Sequence, residues 1–290
     1  MKKFVILIPI YNDWKSLIKL LEGINKNIKN IRGAQFDCII VNDCSTIINP
    51  KIKIPTQINS IKIIHMSKNK GHARCNAFGI KYLSESLDFD YFILMDGDGE
   101  DRPEEIKLLV DKILLEPKRS VVAKRIKRSE GLLFQMLYRA HKYITLFTTG
   151  KLINFGNYSC LTKLDLKTLS TKASLWSSYS GSFKNNIKNY NEINSVRGIR
   201  YFGPTQMSLL KLVVHSFSII AVFKYRVFFI SLILLASLHY LGIFIKFNFL
   251  LFQILTILFN IFVFIVSFRE SEKELENSKL DISRIEKLTH

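Results

Sequence analysis

The sequence predicts a doubly wound, mostly parallel α/β sheet followed by a C-terminal transmembrane helical hairpin. Three observations carry this expectation. Apolar runs of strand length alternate with stretches of helical periodicity in the N-terminal part. The first run, Phe4 to Ile8, is continuously apolar, as in a strand buried on both faces, and the strand-length runs each end in a polar turn. Two uncharged runs of helix length, 227–245 and 247–268, lie near the C-terminus.

The elements follow in order. Phe4-Val5-Ile6-Leu7-Ile8 forms the first strand. The preceding Met1-Lys2-Lys3 mimics a signal peptide, but the apolar run is short and no small-residue cleavage site follows. Pro9 to Asp13 turns, and Trp14 to Ile24 has helical periodicity. Phe36 to Val41 is a second strand ending at Asn42-Asp43-Cys44-Ser45. Ile61 to His65 is a third, ending at Lys68-Asn69-Lys70-Gly71, and Arg74 to Leu83 is helical. Tyr91 to Met95 is a fourth, ending at Asp96-Gly97-Asp98-Gly99-Glu100-Asp101. Arg102-Pro103-Glu104-Glu105 then starts a helix. Open α/β sheets bind ligands at the carboxyl ends of their strands. Those ends carry Tyr11, Asp43, Asn69 to Gly71 and Asp96-x-Asp98.

The acidic stretch is the most informative. Asp96, Asp98, Glu100 and Asp101 repel one another unless a cation sits among them. Oxygen ligands at a strand end suit Mg²⁺ or Mn²⁺. Gly97 and Gly99 let the backbone turn sharply. The alternative is a solvated acidic turn before a helix.

The net charge of +18 suits an anionic partner. No nucleic-acid motif accompanies it, so lipid headgroups and phosphorylated substrates are the better partners. The four cysteines lack paired metal spacing and point to a reducing compartment without structural disulfides. The run 227–245 has 19 residues. It spans about 28 Å, close to the hydrocarbon thickness of a bilayer. Only Lys246 separates it from the second run, which makes a hairpin. Lys211, Lys224 and Arg226 precede the hairpin, and Arg269 and Lys273 follow it. The positive-inside rule puts both flanks in the cytoplasm of an inner-membrane, multi-pass protein. Gln253 and Asn260 share a face and are expected to hydrogen-bond between helices. The expected divisions are a soluble domain at 1–205, a juxtamembrane segment at 206–226, the hairpin at 227–268 and a polar cytoplasmic tail at 269–290. The juxtamembrane segment is open between an interfacial helix and a buried one.

Four motifs at the right strand ends resemble a family 2 glycosyltransferase with the GT-A fold. They are Ile8-Pro9-Ile10-Tyr11-Asn12, Val41-Asn42-Asp43-Cys44-Ser45, Asn69-Lys70-Gly71-His72 and Asp96 through Glu104. The acidic segment with Arg102-Pro103-Glu104 is similar to the branch containing dolichol-phosphate mannose synthase and bactoprenol glucosyltransferases. The likeness continues through Arg125, Phe134 to Arg139, Ile153 to Asn157 and Arg200 to Gly203.

The resemblance implies a nucleotide-sugar donor bound by Pro9, Tyr11, Asn12, Asp43 and Arg74. Asp43 would accept a hydrogen bond from the base, or else close an Asx-turn. Arg74 would reach the diphosphate, or else cap a helix. Asp96, Asp98, Glu100 and Asp101 are the implied catalytic carboxylates. Asp98 is the metal ligand with Asp96 in support, and the metal neutralises the leaving group. Arg125, Arg139 and Arg200 match or neighbour positions that hold an acceptor phosphate, while Arg128 reads better as a surface charge. A sugar hydroxyl needs a general base, whereas a lipid phosphate is already ionised. Between Asn157 and Arg200 the chain offers only the unpaired Asp165 and Glu192. The expected acceptor is therefore a polyprenyl phosphate, with inversion at the anomeric carbon.

Three departures from the family pattern stand out: Asn157 where many relatives carry Asp, Gln206 where Lys is common, and the spacing in Gly71-His72-Ala73-Arg74. The competing expectations are a hydroxyl acceptor on a lipid-linked glycan and a non-catalytic membrane scaffold. A processive synthase is disfavoured, since no Gln-x-x-Arg-Trp segment is present. The sequence names neither the sugar nor the nucleotide, and a homo-oligomer stays open.

Overall fold

β1 (Lys2–Ile10) is the hub of the sheet, because alternate side chains of its apolar run serve two cores. The computed structural model describes residues 1–85, 88–127, 132–204 and 208–290. Phe4, Ile6 and Ile8 pack with α1 (Trp14–Ile28) and α3 (Ile106–Leu115). Val5 and Leu7 point to the other layer, toward α2 (His72–Ser84). Each such fully buried aliphatic side chain contributes about 1.5–3 kcal/mol.

β1 pairs in parallel with β2 (Ala34–Asn42) and with β4 (Tyr91–Leu94). β2 pairs in parallel with β3 (Ser60–Met66). The four predicted strands are thus present within one or two residues of their expected bounds. The second half is mixed rather than parallel. β5 (Ser120–Lys127) and β4 both run antiparallel to β6 (Phe155–Thr162), and β5 is parallel to β7 (Tyr190–Val196). Leu94 stands opposite Ser159, so the start of β6 reaches the acidic loop after β4. With β8 (Ile282–Thr289), the described strands form one sheet in the order β7-β5-β6-β4-β1-β2-β3-β8.

Three helices follow between β5 and β7: α4 (Leu132–Thr149), α5 (Lys163–Ser170) and α6 (Tyr179–Asn186). The segment after β7 holds α7 (Leu209–Ala221), which is neither wholly interfacial nor wholly buried. Phe217 meets Phe262 edge-on with centroids 4.5 Å apart, while Leu210 and Val213 are exposed. Residues 206 and 207, at the start of the expected juxtamembrane segment, lie outside the described residues, as does Arg128.

The hairpin consists of α8 (Lys224–Ile245) and α9 (Leu250–Ser267), both long and apolar enough to cross a membrane. The turn takes residues 246–249, longer than the single lysine expected, with Lys246 in the left-handed region. Phe244 is 85% exposed and Phe229 63%, so both side chains stand clear of the rest of the described residues. The foot of the hairpin is different. Val227, Val263 and Val266 are buried in the same core as α2. Lys224 Nζ donates to Glu270 at 2.6 Å and ties the two helix ends together. Asn260 does not bond across the hairpin: its amide donates to the Thr256 carbonyl of its own helix at 2.7 Å.

The tail from Arg269 is folded. After α10 (Glu272–Glu276), β8 runs antiparallel to β3, from Met66 opposite Ile282 to Ser60 opposite Thr289. Its polarity hid it. Arg284, Glu286 and Lys287 are what an edge strand carries to discourage further pairing. Only Ile282 and Leu288 pack against the cores. The sheet therefore draws on the last residues as well as the first 205, and both ends of the hairpin are fixed to it.

A chain ending at Asp281 would leave β3 as an unpaired edge. Thermal unfolding in detergent should show a midpoint lowered by about 5 °C or more, with self-association by size-exclusion chromatography. An unchanged midpoint and elution would show that β8 contributes nothing to the fold.

Candidate active site

The loop after β4 begins where β1 ends. A Cβ on Gly97 would lie 2.9 Å from the Pro9 carbonyl oxygen, so only glycine lets the two strand ends touch. Pro9 is buried opposite Val41, and it lies beyond the last β4 partner of β1, where its missing N–H costs no ladder bond. It shapes this close approach rather than lining open space.

Two other expected donor residues are committed to the scaffold. Asn12 Oδ1 accepts from the Thr46 and Ile47 amides at 2.8 and 3.1 Å and staples the loops after β1 and β2. Asp43 is buried, and its two carboxylate oxygens accept from the Lys70 and Gly71 amides at 2.8 Å each. Buried carboxylates need donors, and here the third strand-end loop supplies them. Asp43 is a latch rather than a free acceptor. Tyr11 is exposed at the rim. A shallow cavity of about 330 Å³ opens nearby, lined by Trp14, Asn42, Ser45, Thr46, His65 and Arg284.

Each carboxylate of the acidic loop has a partner from outside the loop. Asp96 Oδ1 lies 3.1 Å from His72 Nε2 and accepts from Asn157 Nδ2 at 3.0 Å. Asp98 pairs with Arg200 Nη1 at 2.8 Å, and Arg200 also bridges to Asp13. Glu100 pairs with Arg197. Asp101 is buried, accepts from the Asp96 amide at 2.9 Å and lies 3.7 Å from Arg125 Nη2. Arg125 fits there because Gly156 has no side chain: a Cβ would approach its guanidinium to 2.7 Å.

The segment after β7 straps over this loop. Gly198 N donates to Glu100 O at 2.8 Å, and Tyr201 N donates to Asp98 O at 2.9 Å. Gly99, at φ +90°, leaves room for the Tyr201 ring, which a Cβ would meet at 2.6 Å. Sequence reasoning missed Asp13, His72 and Arg197 as partners in this cluster. Asp13 and Arg200 are separated by almost the whole sheet, and no local spacing signals their pairing.

The electrostatics follow from burial and crowding. Burial, then the Asp96 and Glu100 charges, push the Asp98 carboxyl up to about 6. Burial and Asp96 push Asp101 up to about 8, against the pull of Arg125. Burial also opposes ionisation of Asp96, but His72, Asn157 and Arg125 outweigh it and hold Asp96 below the usual carboxylate range. Burial works against the His72 charge, and Asp96 overcomes it, so His72 titrates above its ordinary value. Asn157 donates to Asp96 and adds no negative charge of its own.

A divalent metal fits this set in one way only. Among the described residues no three His, Cys, Asp or Glu side chains form a closed cage. Asp98 presents hard oxygens in a crowded cluster, and a metal held there would need its remaining ligands from outside the chain. Arg74 stacks over Trp176, with its Cζ 5.7 Å from the ring centroid. Arg139 is exposed on α4 and Arg200 sits at Asp98, so the three arginines expected to hold an acceptor do not converge alike.

The glycosyl transferase family 2 model matches residues 5–173. The chain belongs to that family. Its fold is like that of glucosyl-3-phosphoglycerate synthase from Mycobacterium tuberculosis, crystallised with Mn²⁺, UDP-glucose and phosphoglyceric acid. That match has a TM-score of 0.52 and 14% identity, covering 78% of this chain and 80% of that one. The same enzyme with Mg²⁺ and UDP matches at a TM-score of 0.51 and 12% identity, over 78% and 79% of the two chains. An uncharacterised protein of Methanocaldococcus jannaschii is 27% identical over 113 residues, 38% of this chain and 46% of that protein. This family 2 glycosyltransferase therefore spans about half the length of the curated relative it matches.

The His72–Asp96 contact is directly measurable. NMR titration of the ring should place the His72 pKa above its usual value of about 6.5. Asp96→Asn should bring it down, since the main raising charge is gone. Asn157→Asp should move it up further, because a second carboxylate then faces the ring. No change in either variant would show that Asp96 and His72 do not interact.

Proposed function

We propose that this chain is a membrane-anchored, inverting glycosyltransferase that moves a sugar from a nucleotide-sugar donor to a polyprenyl phosphate. This is the reaction of the dolichol-phosphate mannose synthase and bactoprenol glucosyltransferase branch. The donor reading rests on family membership and on the acidic loop at a strand end. The fold neighbour that takes UDP-glucose with Mn²⁺ supports it.

Asp98, with Asp96 beside it, would hold Mg²⁺ or Mn²⁺. The bound metal would supply charge neutralisation for the departing diphosphate. Arg200 orients the Asp98 carboxylate and anchors it to Asp13. His72 and Asn157 keep Asp96 ionised. Arg125 offsets the charge of Asp101, and Arg197 that of Glu100. Asp43 and Asn12 hold the strand-end loops that frame the donor.

The observation that carries the acceptor class is the fate of the two downstream carboxylates. Asp165 accepts from Ser120 Oγ at 2.5 Å, at the opposite end of the strands from Asp96. Glu192 pairs with Lys124 at 3.2 Å. Neither is placed to deprotonate a hydroxyl, and a phosphate acceptor needs no such base. The membrane reading is supported by the hairpin and by α4, whose Met136, Tyr143 and Phe147 are exposed. Catalysis on the cytoplasmic face of an inner membrane is the corresponding location.

Membranes carrying the protein, given a panel of labelled nucleotide sugars and undecaprenyl phosphate, should yield an acid-labile lipid-linked sugar. EDTA or Asp98→Asn should abolish the product. An acid-resistant glycoside would instead identify a hydroxyl acceptor. Stabilisation by Mn²⁺ with a nucleoside diphosphate should weaken as pH falls through about 6, where Asp98 takes up a proton. Full turnover in EDTA would refute metal dependence.

Reporter fusions at the two termini should both read cytoplasmic. A periplasmic signal from the C-terminal fusion would refute the hairpin topology.

A further inference from the structure

Two arginines at the foot of the hairpin lack what every arginine of the acidic loop has. Arg74 lies in the first turn of α2, two residues from the His72 that meets Asp96. Arg269 follows α9 directly and precedes α10. α10 packs on α2 and on the turn Ala173–Trp176, which brings the end of the hairpin to Arg74. The Nε of each arginine is buried without a hydrogen-bond partner. Among the described residues, neither side chain has a carboxylate partner. The adjacent Glu270 is committed to Lys224, and its other oxygen takes no hydrogen bond. Burial and the charge of Arg74 both act against the Arg269 charge. Two like charges, partly desolvated and near enough for one to act on the other, are relieved by an anion bound to both. A phosphate monoester offers enough oxygens for both forks.

We propose that Arg74 and Arg269 form a phosphate site that holds the headgroup of a lipid phosphate at the junction of the hairpin and the catalytic domain. This rests on the acceptor reading above and deepens it. The phosphate enters from the membrane side along α9, and α2 carries the site to within one helical turn of Asp96. Arg125 and Arg200, committed to Asp101 and Asp98, are left to the acidic loop.

Binding is read on the full chain in detergent, without sugar donor, using farnesyl phosphate, inorganic phosphate, and UDP or GDP with Mn²⁺ as separate probes. Arg74→Gln and Arg269→Gln should each weaken farnesyl phosphate at least tenfold, and Arg269→Gln, remote from the expected donor residues, should leave the nucleotide within twofold. Inorganic phosphate should bind the parent more weakly than farnesyl phosphate and lose affinity in the same variants. The ligand-free thermal midpoint should hold or rise in each variant, because one of two opposed charges is gone. A structural arginine would lower it. Arg74→Lys and Arg269→Lys should keep part of the affinity. Unchanged farnesyl phosphate affinity in both glutamine variants, or a loss confined to the nucleotide, overturns the proposal. If farnesyl phosphate binds through these arginines but accepts no sugar, the phosphate site stands and the acceptor reading falls.

Discussion

The acidic loop after β4 imposes the main constraint on this molecule. Four carboxylates in a short, partly buried turn are costly, and each must find its own positive or hydrogen-bonding partner. The partners come from everywhere: His72 from α2, Arg125 from β5, Asn157 from β6, and Arg197 and Arg200 from the strap after β7. Bringing those five residues to one strand end requires the antiparallel insertion of β6 between β4 and β5. It also requires glycines at 97, 99 and 156, where a backbone carbonyl, the Tyr201 ring and a guanidinium approach too closely for a side chain. The compensation is uneven. Asp96 is held ionised, while Asp98 and Asp101 are pushed toward protonation. A dication held at Asp98, as proposed, would offset that imbalance.

The N-terminal half was legible because its signals are local. Continuous apolar runs mark strands buried on both faces, and polar turns mark their carboxyl ends. The acidic loop announced itself by composition. The partners of that loop did not, because an ion pair between Asp13 and Arg200 leaves no trace in spacing. β5 and β7 carry charges among their apolar residues, and β8 alternates charge with isoleucine as edges do, so pattern alone does not separate them from loops. The hairpin was legible from length and lack of charge, whereas its foot was not. Val263 and Val266 look like any other apolar residues of α9, yet they are buried in the catalytic core.

The same limit applies to residue roles. Asp43 and Asn12 sit where donor-binding residues are expected, yet their side chains are spent on the amides of neighbouring loops. Their effect on a ligand acts through loop position. A substitution there would disturb three strand ends at once, which a catalytic test alone would misread as lost binding.

The pairing of β8 with β3 has a consequence for how the protein is made. β3 leaves the ribosome long before β8. Their pairing closes a loop of more than two hundred residues that contains the whole hairpin. Such a non-local contact forms late. The nascent sheet therefore waits with an open edge until both α8 and α9 have emerged. Should the hairpin cross a membrane as proposed, completion of the fold would report on its insertion: a hairpin threaded the wrong way would leave β8 on the far side and the sheet unfinished.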